Sequence, residues 1–370
     1  MAKLRIAAFG FRTIPMAKGA AGADKFAMEL LPRLAERGHS VVAYNRRYPD
    51  VYVEETEYMG VTIKTFKTIN KKGFDTLFHS LKCTWDIIIH NTADIVHIQN
   101  GGNSIWAFPL RIFGKKVYIS QDGIDWKREK WPWYGKLYLM LSAYMTAKLP
   151  TQVIFDNLVA KRNFENKFKK KFEFIPFGSE VAVVSEDDTV LKNYNLTKGE
   201  YYLFVGRFIP DKGLHYLIPA FKQANTKKKL VLVGGSPNPS KYEQEIRNLA
   251  NENVIFAGYI YGDDVTRLML NCYCYIQPSE VEGLSPVILS VMGLEVPLIV
   301  SDIEENIYAV QDTAIKFKHA DIHSLTEKLN FAEENYPIMK DLSKKAQQRA
   351  LSEFNWEKVT DAHVKLFKTK

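Results

Sequence analysis

Cysteine is scarce: Cys83, Cys272 and Cys274 are the three in 370 residues. Three unevenly placed thiols exclude a disulfide framework. Cys272 and Cys274 alternate along an apolar run, which reads as strand filler rather than metal ligation. No stretch approaches the roughly 18 uninterrupted apolar residues of a membrane-spanning helix. No short repeat or low-complexity tract is present, and Leu4–Phe9 follows no signal-peptide pattern. These absences lead to the expectation of a reduced, cytoplasmic protein.

What is there suits two α/β domains: 46% hydrophobic and 25% charged residues, a composition that excludes general disorder. The formal net charge of +8 admits two readings. It answers an anionic partner (lipid head groups, nucleic acid or substrate phosphates), or it is unremarkable on a surface this large.

Leu4–Phe9 reads as a strand that turns at Gly10. Asp24 to Arg37 places Phe26, Leu30, Leu31 and Leu34 on one helix face, Gly38 stops the helix, and Ser40–Tyr44 is the next strand. Strand, helix, strand at this spacing is a parallel βαβ unit. Further strands are expected at Ile95–Ile98, Lys116–Ser120, Gln152–Phe155 and Lys171–Ile175. After the weakly patterned stretch Val184–Gly199 a second series begins. Its strands fall at Tyr201–Val205, Lys229–Val233, Val254–Phe256, Tyr273–Gln277 and Pro297–Val300, with helices at Gly213–Gln223 and Tyr242–Ala250. Two such series predict two doubly wound α/β domains, 1–180 and 181–355, followed by a helix over 356–370 that packs back on the first.

Ligands of open parallel sheets bind beyond the carboxyl ends of the strands. Three loops there attract attention. In Gly206-Arg207-Phe208-Ile209-Pro210-Asp211-Lys212-Gly213 two cations flank a turn; they can grip phosphate oxygens, although a solvated turn that opens a helix reads as well. In Glu282-Gly283-Leu284-Ser285-Pro286 a carboxylate precedes a small-residue loop that opens an apolar helix, Val287–Leu294. Backbone N–H groups and the helix dipole there can meet an anion, or the segment is a capped helix start with a solvated Glu. Gly258-Tyr259 follows a strand where a planar base could lie, and equally reads as a turn.

Together with Val233-Gly234-Gly235 these loops resemble retaining glycosyltransferases of family 4, of GT-B architecture: two Rossmann-like doubly wound domains facing across a cleft. In the first half, Gly22-Ala-Asp24-Lys-Phe26 stands where that family has its glycine-rich acceptor loop. Asp122-Gly-Ile-Asp125-Trp126-Lys127-Arg128 and Ile175-Pro-Phe-Gly178-Ser-Glu180 are similar to a bacterial subgroup that includes rhamnosyltransferases of surface-polysaccharide synthesis. The resemblance implies transfer of a hexose or deoxyhexose from a nucleoside-diphosphate sugar to a glycan or lipid-linked acceptor, with retention of configuration and no metal or other cofactor. It implies that Arg207 and Lys212 bind the diphosphate, Glu282 holds sugar hydroxyls, and Gly22, Gly206 and the backbone of Gly283, Leu284 and Ser285 line the donor. Gly258 and Tyr259 would border the base, while Asp24, Asn100, Asp125, Trp126, Lys127 and Arg128 would serve the acceptor.

Two positions depart from that family. Its second glutamate, which binds ribose hydroxyls, is here Ser290. Asp122 stands where many relatives carry histidine, and either acts on the developing charge at the anomeric carbon or orders the turn at Gly123. The pairs Asp187-Asp188 and Asp263-Asp264 read as caps or solvated groups rather than metal ligands. His97 reads as a strand histidine.

Aromatic and basic residues interleave over Trp126–Tyr134 and Asn163–Phe174, the latter with Lys167, Lys169, Lys170 and Lys171 among Phe164, Phe168 and Phe172. Contact with an anionic membrane is the preferred reading, with no nucleic-acid partner. Nucleic-acid binding, a plain solvated face, a nucleotide-sugar epimerase or phosphorylase, and a non-catalytic family member are the rivals.

Overall fold

The computed structural model describes residues 3–16, 22–47, 54–69, 74–121, 123, 133–179, 184–236 and 241–369. Asp122, Asp125, Trp126, Lys127 and Arg128 lie outside the described residues. The chain divides into two compact units, Met1–Phe177 with Trp356–Lys370, and Gly178–Asn355.

The first unit runs β1 (Arg5–Phe9), α1 (Gly22–Glu36), β2 (Ser40–Arg47), β3 (Glu57–Tyr58), β4 (Val61–Lys67), α2 (Phe74–His90) and β5 (Ile95–Gln99). A 3-10 turn, Gly101–Trp106, leads into α3 (Ala107–Ile112). Then come β6 (Lys116–Gln121), α4 (Trp133–Lys148), β7 (Gln152–Phe155), α5 (Leu158–Phe168) and β8 (Glu173–Phe174). The sheet order is β3-β4-β2-β1-β5-β6-β7-β8, parallel except for the β3–β4 pair. Its inner strands are covered on both faces, so β1 and β5 read as continuous apolar runs.

The second unit holds α6 (Thr189–Asn193), β9 (Tyr201–Arg207), α7 (Leu214–Gln223), β10 (Lys229–Gly235), α8 (Lys241–Leu249), β11 (Val254–Gly258) and α9 (Asp263–Asn271). It continues with β12 (Cys274–Gln277), α10 (Pro286–Gly293), β13 (Leu298–Ser301), α11 (Glu304–Val310), β14 (Ile315–Phe317), α12 (Ile322–Glu334) and α13 (Tyr336–Glu353). Its sheet is parallel throughout, in the order β11-β10-β9-β12-β13-β14. Phe204, Leu217, Leu232 and Ile276 are fully buried between sheet and helices. Each such side chain contributes about 1.5–3 kcal/mol relative to exposure.

The chain then returns to the first unit as α14 (Trp356–Thr369). Phe26 of α1 packs on the Trp356 and His363 rings at 5.7 and 5.8 Å. Arg37 reaches Glu357 at 2.6 Å and Asp361 at 3.0 Å. The cysteines are all buried and free, as strand and helix filler would be. Among the described residues no helix is long and apolar enough to cross a membrane.

Two local expectations are corrected. The strand expected over Lys171–Ile175 contracts to β8, two residues long. The weakly patterned stretch Val184–Gly199 contains α6, whose buried Val190 and Leu191 are too short a signal to show a period.

Candidate functional site

Strand β9 lies at the centre of the second sheet. The chain first builds outward from it through β10 and β11, then crosses back to place β12 on its other side. The order of strands reverses between β9 and β12, and the carboxyl ends of those two strands carry Gly206-Arg207 and Gln277. In a doubly wound sheet this is where a ligand finds room and polar groups.

The loop after β9 and the loop after β12 are locked together. Glu280 N donates to Asp211 O at 2.9 Å. Gly213, at φ +69°, passes so near the second loop that a Cβ would stand 2.0 Å from Pro278 O. No other residue type fits both that conformation and that approach. Gly234, at φ +131°, allows a similar closeness between β10 and Gly206 O.

That junction brings Lys212 and Glu282 together. Lys212 Nζ donates to Glu282 Oε1, whose side chain is only 8% exposed. The same oxygen accepts from Gln277 Nε2 at 2.5 Å and Ser279 Oγ at 2.7 Å. Behind them Tyr275 donates its hydroxyl to Gln277 Oε1 at 2.6 Å, and Ser301 Oγ to Ser279 O at 2.5 Å. Asn306 Nδ2 donates to Ser301 Oγ at 2.9 Å. Burial, reinforced by the nearby Glu282 carboxylate, pushes the Tyr275 phenol up, so it stays a proton donor. A carboxylate with three donors on one oxygen is held in a single orientation. Gln277, Ser279, Ser301 and Asn306 were not singled out from the sequence. Uncharged polar residues on adjacent strands show their convergence only through the β12–β13 register.

Arg207 is exposed, and among the described residues its guanidinium makes no hydrogen bond or ion pair. The Tyr259 ring is near enough for that charge to act on its phenol. Tyr259 and Tyr261 stack nearly parallel, ring centroids 6.0 Å apart, and each is 48% exposed. Gly258, at φ +69°, makes the turn that presents them. Two exposed parallel rings beside an uncommitted cation can receive a planar base with an attached anion.

Ser285 caps α10 by accepting from Ile288 N at 3.4 Å, and Pro286 occupies the first turn. Leu284 and Ser285 are buried, so only their backbone can serve a ligand. Ser290 Oγ donates back to Pro286 O at 3.0 Å inside the helix.

In the first unit the sheet order reverses between β1 and β5. Gly22 opens α1 there. Asp24, expected at the acceptor, is 1% exposed, and its Oδ1 accepts from Arg12 N at 2.5 Å and Thr13 N at 3.2 Å. Asn100, at the end of β5, is exposed at φ +75° and accepts from Gly102 N at 2.8 Å. His97 is fully buried, with Nε2 2.8 Å from Ser120 Oγ, and burial pushes its pKa down to about 3.

The aspartate pairs are engaged locally. Asp187 accepts from Thr189 N at 2.8 Å, Asp188 pairs with Lys198 at 3.0 Å, and Asp264 pairs with Arg267 at 2.8 Å. Among the described residues no group of three His, Cys, Asp or Glu side chains is placed to hold a metal ion. Phe164 and Phe172 are core residues packed on Phe155, so the aromatics of Asn163–Phe174 do not form a stacking surface.

Residues 187–349 match the family described as Glycosyl transferases group 1, and residues 76–180 match a Domain of unknown function (DUF1972). The chain is 27% identical over 241 residues to the O-antigen chain mannosyltransferase C of Escherichia coli, covering 63% of this chain and 64% of that protein. It is 26% identical over 179 residues to the N,N'-diacetylbacillosaminyl-diphospho-undecaprenol alpha-1,3-N-acetylgalactosaminyltransferase of Campylobacter jejuni, covering 48% and 46%. It thus spans less than two thirds of either relative. The sucrose-phosphate synthase of Thermosynechococcus elongatus superposes with a TM-score of 0.82 at 20% identity over 98% of both chains. Anabaena HepE, solved in complex with UDP and glucose, gives 0.81 at 14% identity over 99% of this chain and 100% of that one. The fold is GT-B.

Proposed function

We propose that the chain is a glycosyltransferase that moves a hexose or deoxyhexose from a nucleoside-diphosphate sugar to a glycan or lipid-linked acceptor, retaining anomeric configuration and using no metal ion. The observation that carries this reading is the set of groups at the carboxyl ends of β9, β11 and β12: exposed Arg207, the Lys212–Glu282 pair and the exposed Tyr259/Tyr261 rings. The match over residues 187–349 spans this cluster. The E. coli relative is named for the O-antigen chain and the C. jejuni relative for an undecaprenol-linked acceptor.

In this reading the base lies on Tyr259, with Gly258 at its edge. The diphosphate sits between Arg207 and Lys212, over Gly206 and the backbone of Gly283–Ser285. Glu282 accepts hydrogen bonds from the donor sugar. Transfer breaks the bond between the anomeric carbon and the β-phosphate oxygen. The acceptor hydroxyl oxygen forms the new bond on the same face and passes its proton to the departing β-phosphate oxygen, and the nucleoside diphosphate departs with the bonding pair. Fixed cations and the first turn of α10 stabilise that departing charge in the place a metal ion would take. Asp122 acts on the developing charge at the anomeric carbon, and Asp24, Asn100 and the Asp125–Arg128 segment belong to the acceptor side of this proposal.

The test is thermal stabilisation by UDP, GDP, dTDP and CDP in the presence of EDTA, followed by transfer from the matching sugar nucleotide. A site filled at about 100 times its Kd adds about 2.7 kcal/mol to stability. The expected result is a shift with one nucleotide family, absent in Arg207→Ala, whose unliganded melting temperature equals that of the parent. Acceptor-dependent product of unchanged anomeric configuration completes the proof. Conversion of the sugar nucleotide without an acceptor would establish an epimerase instead, and stabilisation by none of the four would overturn the site.

A further inference from the structure

Helix α4 is built with its apolar side outward. Its buried residues are Ser142, Ala143, Thr146 and Ala147. Ser142 Oγ and Thr146 Oγ1 both donate to Gly101 O, fastening that polar face to the 3-10 turn. On the opposite side Trp133, Leu137, Met140, Leu141 and Tyr144 repeat at the spacing of one helical stripe, and all are exposed, Trp133 at 77% and Leu137 at 60%. A soluble helix normally buries such a stripe.

The same character continues beside it. The 3-10 turn that holds α4 also contacts α2 and α3. Phe108 and Ile112 of α3 and Trp85 and Ile89 of α2 are exposed as well. More than half of the exposed large hydrophobic side chains among the described residues come from this one stretch of the first unit. Exposed apolar side chains gathered on helices that share one turn mark an interaction site.

Charge identifies the partner. Neither α3 nor α4 contains Asp or Glu, whereas Arg111, Lys136 and Lys148 lie on them. From α5, Lys167 Nζ lies 5.2 Å from the centroid of the Tyr144 ring, and Lys170 Nζ donates to Ala147 O at 3.0 Å. Lys169 and Lys171 are exposed next to them. The carboxylates on α5 and α2 are already held by cations: Glu165 by Lys161 at 2.8 Å, Asp86 by Lys64 at 2.6 Å and Asp75 by Arg46 at 3.1 Å. A second copy seated on this face by two-fold symmetry would set these same cations against each other. Nucleic acid would answer the lysines but leave Leu137, Met140 and Leu141 without a match. An anionic bilayer answers both: aliphatic side chains reach the acyl boundary, Trp and Tyr sit at head-group depth, and lysines meet the lipid phosphates.

We propose that α4, with α3 and the lysines at and just beyond the end of α5 at its flank, is the surface by which this chain docks on an anionic lipid bilayer. The sequence pointed to Trp126–Tyr134 and Asn163–Phe174 for such contact. Trp133 and Tyr134 of the first stretch open α4, residues 126–132 lie outside the described residues, and the second stretch contributes its lysines. The proposal does not rest on the transfer reaction.

The test is flotation of the full chain with vesicles of phosphatidylcholine alone, or of phosphatidylcholine and phosphatidylglycerol in equal parts. Wild type is expected to float with the anionic vesicles only, and to release as salt is raised. Leu137→Glu/Leu141→Glu, at exposed positions, is expected to bind roughly tenfold more weakly or worse. An unchanged melting temperature and an unchanged response to nucleoside diphosphates would show the variant folded. Equal flotation of variant and wild type would overturn the proposal. So would a wild type that ignores vesicles yet sediments as a dimer that the variant dissociates, which would make the face a contact between copies.

Discussion

The Lys212 ammonium and the Gln277 amide share a single oxygen of Glu282, and Ser279 donates to it as well. Removing the two charged partners therefore has unequal consequences. Lys212→Ala leaves Gln277 and Ser279 donating to Glu282, so stability falls by about 1 kcal/mol, while nucleoside-diphosphate affinity falls about tenfold or more. Glu282→Ala strands a mostly buried ammonium and the amide behind it, at roughly 3 kcal/mol. It removes about a hundredfold or more of transfer with nucleotide affinity retained. Melting curves paired with titration calorimetry separate the two patterns; equal loss of nucleotide binding in both variants would refute the division of roles.

The stacked tyrosines predict a difference between ligands. Tyr259→Ala is expected to weaken a nucleoside diphosphate by about 1–3 kcal/mol, the usual worth of stacking a base on an aromatic ring. Inorganic pyrophosphate, which has no base, is expected to bind the variant as it binds wild type. Competition between the two ligands reads this out directly.

Ser290 spends a hydrogen bond on the Pro286 carbonyl of its own helix. Ser290→Glu places a carboxylate where the resembled family binds ribose hydroxyls. The expected outcome is about a tenfold gain in nucleoside-diphosphate affinity at unchanged fold. A loss of affinity would show that ribose lies elsewhere.

Acid is expected to weaken the first unit before the second. Burial pushes His79 and His97 down to about 3 and His363 to about 4, from an ordinary 6.5. His97 Nδ1 and His363 Nε2 are buried without partners among the described residues, so charging them in place is opposed. Below pH 6.5 the unfolded chain binds protons that the folded chain refuses. Stability thus rises with pH across that window and is lost as pH falls through it, by about 1.4 kcal/mol per pH unit for each histidine. Calorimetry between pH 4 and 6.5 should show the first unit melting earlier as acid is added, with a smaller slope in His97→Gln. A pH-independent transition would contradict this.

Much of the fold was legible because doubly covered parallel strands leave apolar runs, as Tyr201–Phe204 and Leu230–Val233 do, between helices of ordinary period. Helix α4 was not legible. Its outward residues carry the apolar period and its inward ones are Ser, Thr and Ala, so the pattern offers no buried face to find. Edge strand β3, two residues long, has too little sequence to announce itself. At the site, the sequence placed Arg207, Lys212 and Glu282 on loops after strands, and the structure brings Lys212 and Glu282 into contact. The orientation of Glu282 came from Gln277, Ser279, Ser301 and Asn306, whose meeting depends on sheet register. Nor does the sequence show that two backbone amides, of Arg12 and Thr13, hold Asp24 in its glycine-rich loop.

The return of α14 to the first unit also sets an order of events during synthesis. The second unit is continuous in sequence and holds every residue of its own sheet by the time Asn355 leaves the ribosome. The first unit, begun earlier, still lacks the helix that covers Phe26, His97 and Tyr118. Domains usually mature in the order in which they are translated. Here the sheet translated first is the last to be sealed.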